Sequence, residues 1–407
     1  MKRVRMSCRV LVCGLAVAGA LTPGSVHAQG EPADRASVRV GPFQFSPRLS
    51  FTNMGIDYNV FNERTNPKRD FTFVAAPDLE IALNPGRLRL TYTSGAEFVY
   101  FREFTSERSV NRRFGGTADL DLTMLKPFAT MSFAHTSARP NAEIDVRARH
   151  HPRVFTAGTR LKFATRSEMV FTVREARDTY DEGLEFRGVE LARTLDQNTR
   201  SYDTAFNVAL TPFTTVGLVV SKEREAFRYS PLRDSETLRI APRVTFSPLG
   251  LITGSASVGY RRFRGVDPAL PDFSGLVSTG TVGILFVGRY KLDTTFTRDV
   301  QYSYEDIVPY YLVTGVRGTL AMQAIGLLEL RLLGGRESMD YQAVDSTQSA
   351  GADRMISYGG GAGYRVGQRA RIVVDVEFLH RTSTRDLSRE YRNHRIVANL
   401  TWGALNR

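Results

Sequence analysis

The stretch Leu88-Arg89-Leu90-Thr91-Tyr92-Thr93-Ser94-Gly95-Ala96-Glu97-Phe98-Val99-Tyr100 alternates without a break. Leu88, Leu90, Tyr92, Ser94, Ala96, Phe98 and Tyr100 share one lipid-compatible face, while Arg87, Arg89, Thr91, Thr93 and Glu97 fill the other. Side chains of a strand point alternately to opposite faces, so the period of two predicts one long β-strand. A tilted strand of about 9 to 11 residues already crosses the hydrocarbon of a bilayer. One apolar face backed by a charged one is what a wall between lipid and water requires.

The same period recurs along the chain: Phe71, Phe73, Ala75, Leu79, Ile81 and Leu83; Phe114, Ala118, Leu120, Leu122 and Met124; Leu238, Ile240, Val244 and Phe246; Tyr310, Leu312, Val316 and Leu320; Ala370, Ile372, Val374, Val376 and Phe378; Ile396, Ala398, Leu400 and Trp402. The connections alternate in length. Short turns fall at 84–86, 125–127, 164–167, 211–212, 247–250, 287–289, 322–326 and 366–368, and long polar loops near 61–69, 102–110, 136–152, 180–198, 226–235, 264–274, 303–307, 342–353 and 382–390. Eight turns and nine loops join eighteen strands. An even strand number with short periplasmic turns and long outer loops predicts an all-β, transmembrane antiparallel up-and-down β-barrel of about eighteen strands in the outer membrane. Aromatics toward strand ends, such as Phe98, Tyr100, Phe101, Tyr302, Tyr310, Tyr311, Tyr364, Tyr391 and Trp402, are expected to form interfacial girdles. The competing reading is a soluble sandwich, which would need strands of about 5 to 6 residues. The tail from Leu400 to Arg407 lacks a terminal aromatic.

The chain starts with Lys2, Arg3, Arg5 and Arg9, followed by the apolar run Val10 to Leu21, a signal-peptide pattern. Cleavage after Val26-His27-Ala28 assigns residues 1–28 to a removed signal peptide, 29–42 to a short periplasmic segment and 43–407 to the barrel. The apolar run is too short to span about 30 Å of hydrocarbon as a helix. Both cysteines, Cys8 and Cys13, fall in the removed segment, which excludes disulfides, thiolate metal sites and Cys nucleophiles in the mature chain. Loss of Lys2, Arg3, Arg5 and Arg9 lowers the formal net charge from +12 to +8. The surplus favours anionic partners, with outer-membrane lipid and lipopolysaccharide, acidic polysaccharide and small anions all compatible. Basic residues dispersed along an exported chain do not describe a nucleic-acid binder.

With the Phe and Leu faces toward lipid, the opposite parity lines a polar lumen. The candidate lining residues are Glu80, Arg87, Arg89, Arg160, Lys162, Arg174, Arg239, Arg243, Arg331, Arg369, Arg371 and Arg395. Glu80 is expected to face Arg89 across the turn at Asn84-Pro85-Gly86, as a wall salt bridge that holds register. Arg outnumbers acid on the inferred lumen face, which predicts preference for anions. Loops 136–152 and 180–198 are the candidates for a constriction. Among His135, His150, His151, His380 and His394 no metal-binding spacing or nucleophile elbow is found, so no catalytic, cofactor or metal site is expected and the chain is read as a non-enzyme.

Gly41-Pro42-Phe43, Pro47-Arg48-Leu49-Ser50, Gly55-Ile56-Asp57-Tyr58-Asn59-Val60-Phe61 and Asp70-Phe71-Thr72-Phe73-Val74-Ala75-Ala76-Pro77 together resemble the opening of the putative beta-barrel porin 2 family. The resemblance covers about the first fifth of the mature chain. It implies an outer-membrane barrel that supplies the passage for an exopolysaccharide, with a periplasmic polysaccharide-export protein as partner. A passive porin for small anionic solutes and a closed structural or adhesive barrel are the alternatives.

Overall fold

The computed structural model describes residues 38–403 apart from 269, 345–349 and 368. The expected signal peptide lies outside the described residues. Eighteen long strands form the wall. The first six are β1 (Phe43–Asp57), β2 (Asp70–Leu83), β3 (Leu88–Phe101), β4 (Ser109–Leu120), β5 (Leu125–Ala138) and β6 (Arg153–Ala164). Next come β7 (Ser167–Asp178), β8 (Gln197–Thr211), β9 (Thr214–Phe227), β10 (Ser235–Phe246), β11 (Ile252–Gly265) and β12 (Phe273–Phe286). The last are β13 (Tyr290–Tyr302), β14 (Tyr310–Ile325), β15 (Leu328–Gln342), β16 (Ala352–Val366), β17 (Ala370–Ser383) and β18 (Tyr391–Gly403). Each pairs antiparallel with its neighbours in sequence, and β18 closes on β1 from Asp57↔Arg395 to Arg48↔Gly403. Closure leaves no unpaired edge, the condition for a sheet to sit in lipid. Among the described residues no helix is long and apolar enough to cross a membrane.

Burial identifies which face meets lipid. On β8, Tyr202, Phe206 and Leu210 are 52%, 43% and 55% exposed, whereas Ser201 and Ala205, each just before an outward aromatic, are 3% and 6% exposed. Large apolar groups outside and small or polar groups inside invert the order of a water-soluble core, which rules out the sandwich. The long connections all leave one end of the barrel and the short turns the other. Trp402, Tyr364 and Phe98 face outward as a girdle requires, but Phe101, Tyr302, Tyr310, Tyr311 and Tyr391 do not. Four of these are buried and Tyr302 is half-buried, and their hydroxyls and rings serve the packing of the mouth: Tyr302 donates to Glu225 at 2.7 Å and Tyr311 to Gln301 at 2.9 Å.

Two irregularities explain sequence features that interrupt the period. Asn53, with φ of 52°, makes a bulge in β1, so Phe51 pairs with Leu400 and Met54 with Ala398, both on the outer face. A bulge shifts side-chain parity by one, and here it returns Ile56 to lipid and Asp57 to the lumen. Just beyond it, a Cβ on Gly55 would lie 1.9 Å from the Ile396 carbonyl oxygen, so no other residue fits there. Pro77 and Pro242 coincide with gaps in the β2–β3 and β10–β11 ladders, as expected for residues without an N–H.

The outward position of Val220, half-way along β9, makes a direct test of the lipid face. Val220→Arg should destabilise the folded barrel by about 2–4 kcal/mol in bilayer refolding titrations, and Val219→Arg, on the inner face, by much less.

Candidate functional site

The inner wall is a set of charged ladders. Arg160 donates to Asp119 at 3.2 Å and lies 4.5 Å over the Phe128 ring, and Arg89 stands opposite the same Asp119. Arg331 reaches Asp375 at 2.8 Å, Arg371 reaches Glu329 at 2.6 Å and Arg395 reaches Glu377 at 2.8 Å. Arg239 donates to Asp299. Arg174 and Arg243 have no carboxylate at ion-pair distance among the described residues, and Asp203 is their shared acidic neighbour. Lys162 faces Glu168 near the turn end. Glu80 is on the inner face, but Thr93 stands opposite it and not Arg89. The hairpin at residues 84–87 places Leu83 against Leu90, which moves Arg89 past the ladder end of β2 and into register with Asp119. Arg87 and Arg369 are exposed residues of the short turns, at the rim and not on the wall.

The expected Arg excess is not found on the wall. Acids face the lumen in step with the bases: Glu97, on the charged face that alternation assigns it, binds Arg113 at 2.7 Å, and Asp299, Glu223 and Glu225, which alternation does not single out, surround Arg261 at 2.7, 3.8 and 3.9 Å. Arg261 is 5% exposed and is the main functional residue missed from sequence. Tyr260 and Phe263 flank it on opposite faces, so aromatic placement gave no parity there. Such ladders create a transverse field across a pore while leaving its net charge near neutral.

The mouth at the long-loop end is bridged. The segment 139–147 leaves β5 and reaches β14 and β15, nine strands on and therefore half-way round the ring. There Ala142 packs on a buried cluster of Val308, Tyr311, Val313, Met339 and Tyr341. Arg381 of β17, fully buried, donates to the Ala142 carbonyl at 2.9 Å and to Asp145 at 3.3 Å, and also binds Asp353. Asn62 donates to Asp145 at 2.8 Å, which ties the bridge to the first outer loop. The second expected constriction loop, 180–198, carries the short helix α1 (Leu191–Leu195) and joins the bridge in one apolar cluster with Ile144, Ala148, Leu191, Ala192, Leu195 and Tyr304. Arg233 fastens that cluster to the carbonyls of Thr194 at 2.7 Å and Pro309 at 2.9 Å. Both loops singled out by their length therefore meet across the mouth.

Glu143 lies at the centre of the bridge, 1% exposed. It accepts a hydrogen bond from Ser303 at 2.7 Å, with Arg389 3.7 Å away and Glu305 nearby. Burial outweighs the Arg389 charge and pushes the carboxyl up to about 7. Because its pKa in the docked bridge exceeds the ordinary glutamate value, protonation favours docking. That contribution is complete below the ordinary pKa, falls as pH rises, and is gone above about 7. Opening events in single-channel records should thus become more frequent between about pH 5 and 8, and Glu143→Gln should abolish that dependence.

The family profile of putative beta-barrel porin 2 matches residues 31–403, nearly the whole chain. The chain belongs to this family. The family and the barrel place it in the outer membrane as a porin-like channel protein. No curated protein matches its sequence. Among solved structures, OccK2 (OpdF) of Pseudomonas aeruginosa is similar with a TM-score of 0.51 at 9% identity, over 89% of this chain and 98% of that one. OccK2 in complex with glucuronate gives a TM-score of 0.50 at 9% identity, over 89% and 98%. OccK3 (OpdO) of the same organism gives 0.50 at 10% identity, over 88% and 96%. At these identities the likeness is one of fold alone.

Proposed function

We propose that this family member is a passive pore for small polar solutes, with sugar acids as the favoured class, and that no bond chemistry or cofactor takes part. The observation that carries the reading is the bridge: segment 139–147 crosses the mouth, packs Ala142 on the far wall, and is held by Arg381 of β17 and by Arg389 of the loop before β18. A divided mouth suits single small solutes better than a continuous polymer. The ladders of the inner wall support the choice of solute, since paired guanidinium and carboxylate groups can exchange their mutual bonds for those of a molecule bearing a carboxylate and hydroxyls. Glucuronate, the ligand in one OccK2 structure, is of that kind.

A second reading, the outer-membrane step of exopolysaccharide export with a periplasmic partner, is favoured by the family resemblance and by the polar anchoring of the bridge. Ion pairs such as Arg381 with Asp145 could be released together if a partner moved the loop. Liposomes containing the purified barrel alone separate the two. Swelling in glucuronate or a neutral monosaccharide, but not in the corresponding long oligosaccharides, is the expected result. No swelling in any of them overturns the passive pore and leaves the partner-gated exporter.

A further inference from the structure

The outer face carries cations that the channel does not use. Arg200 shares its face with Tyr202 and Phe206, both exposed, so it points to the lipid side of the wall. The same parity puts Arg177, Lys222, Arg224, Arg262 and Arg264 outside, all exposed and all within six residues of the loop-side ends of β7, β9 and β11. Strand pairing gathers them into one patch. Arg153 stands directly opposite Arg177, and Arg200 directly opposite Arg224. Among the described residues two acids enter the patch: Glu175, opposite Arg200 and 3.5 Å from it, and Glu236, which stands opposite Arg224 and Arg264 and lies 3.8 Å from Lys222. Below it the face turns apolar, with Phe171, Leu218, Ile240 and Leu276 exposed, and Tyr202 and Tyr260 at the boundary.

Like charges directly opposite each other on a strand pair destabilise it, and two such pairs occur side by side here. A cationic side chain next to hydrocarbon is costly as well. Both costs are relieved by a polyanion at the level where the apolar band ends. Arginine pairs favour phosphate, which they grip with two parallel hydrogen bonds. An anion held at that depth must itself be anchored in the outer leaflet by acyl chains, and the boundary tyrosines are suited to the junction of chains and headgroup.

We infer that the outer ends of β6 to β11 form a docking surface for the phosphorylated headgroup of lipopolysaccharide. The surface lies on one side of the barrel. On the far side, Arg336 and Arg354 face outward with Ile356 and Ser338 as their partners across the ladder, so the two form no like-charged pair.

The test compares the full-length barrel with its Arg200→Gln/Arg224→Gln variant in neutral detergent, with lipopolysaccharide and enzymatically dephosphorylated lipopolysaccharide as probes. Folding is checked by the heat-dependent shift on electrophoresis, and Arg262→Gln/Arg264→Gln serves as a second patch variant. Arg336→Gln/Arg354→Gln is the control. Expected are a loss of affinity of about tenfold or more in either patch variant, a similar loss for the wild type on dephosphorylation, and little change in the control. Without lipid, Arg200→Gln/Arg224→Gln should unfold no earlier than the wild type, because the substitution removes a repulsion. Undiminished binding by the patch variants, or equal binding of the dephosphorylated probe, would overturn the inference. Equal competition by an acyl-free acidic polysaccharide would also overturn it and assign the patch to that polymer.

Discussion

Replacement of residues 139–147 by a two-glycine link is expected to raise single-channel conductance severalfold while leaving the barrel folded. Ala138 and Ala148 already pair across the base of this loop, so the cut ends meet without strain on β5 or the short strand that follows it. The excision removes Ile144 from the apolar cluster and frees Arg381 from the Ala142 carbonyl and Asp145. The wall itself loses no ladder hydrogen bond, so the heat-dependent mobility of the folded form should persist. Planar-bilayer recording reads the conductance, and a value equal to that of the intact chain would mean that the bridge does not limit the pore.

Asp353→Ala should give the largest change from a single residue. Asp353 is fully buried, accepts from Arg389 at 2.9 Å and from Tyr341 at 3.1 Å, and binds Arg381. Its removal leaves two buried guanidinium groups at the foot of the bridge with Glu143, Asp145 and Glu305 as the acids that remain to them among the described residues. Breaking a buried ion pair from one side costs about 3–5 kcal/mol, because the partner charge stays desolvated. That cost falls on bridge docking before it falls on the wall, since the wall strands remain hydrogen-bonded round the ring. Protease sensitivity of segment 139–147 should rise by at least an order of magnitude, and unitary conductance should become noisy.

The wall was legible in the sequence because its two solvents differ so sharply. Lipid outside and water inside impose a period of two, and Leu88 to Tyr100 states it without a flaw, as do the turn and loop lengths that set the strand number. Legibility faded where one of those solvents is replaced by protein. At the mouth, Tyr310, Tyr311 and Tyr391 look like girdle residues, but the bridge packs against Tyr311 and Tyr391, and Phe263 and Leu270 bury Tyr310. Arg261 is hidden for the same reason, between aromatics that point both ways. Register across a turn was a separate blind spot. Alternation says which face Glu80 and Arg89 occupy, but the hairpin geometry at Pro85 and Gly86 decides whom they meet. The balance of charge inside depends on many such pairings, so the predicted Arg surplus dissolved once Glu223, Glu225 and Asp299 took their places.

The loop between β5 and β6 crosses the mouth to the far wall, and a cysteine pair tests that crossing most directly. The chain beginning at Gln29 contains no cysteine, so a pair can be introduced without background. Glu143→Cys/Ser303→Cys puts a thiol on each of two side chains that now meet, hydroxyl to carboxylate, at 2.7 Å, and a short bifunctional reagent makes up the two bonds by which cysteine is shorter than glutamate. Oxidation or a short bis-thiol reagent should join them in the folded barrel, give one reducible mobility shift and lock the channel at its low conductance. Thiols that both label from outside yet never join in the folded barrel would contradict the bridge.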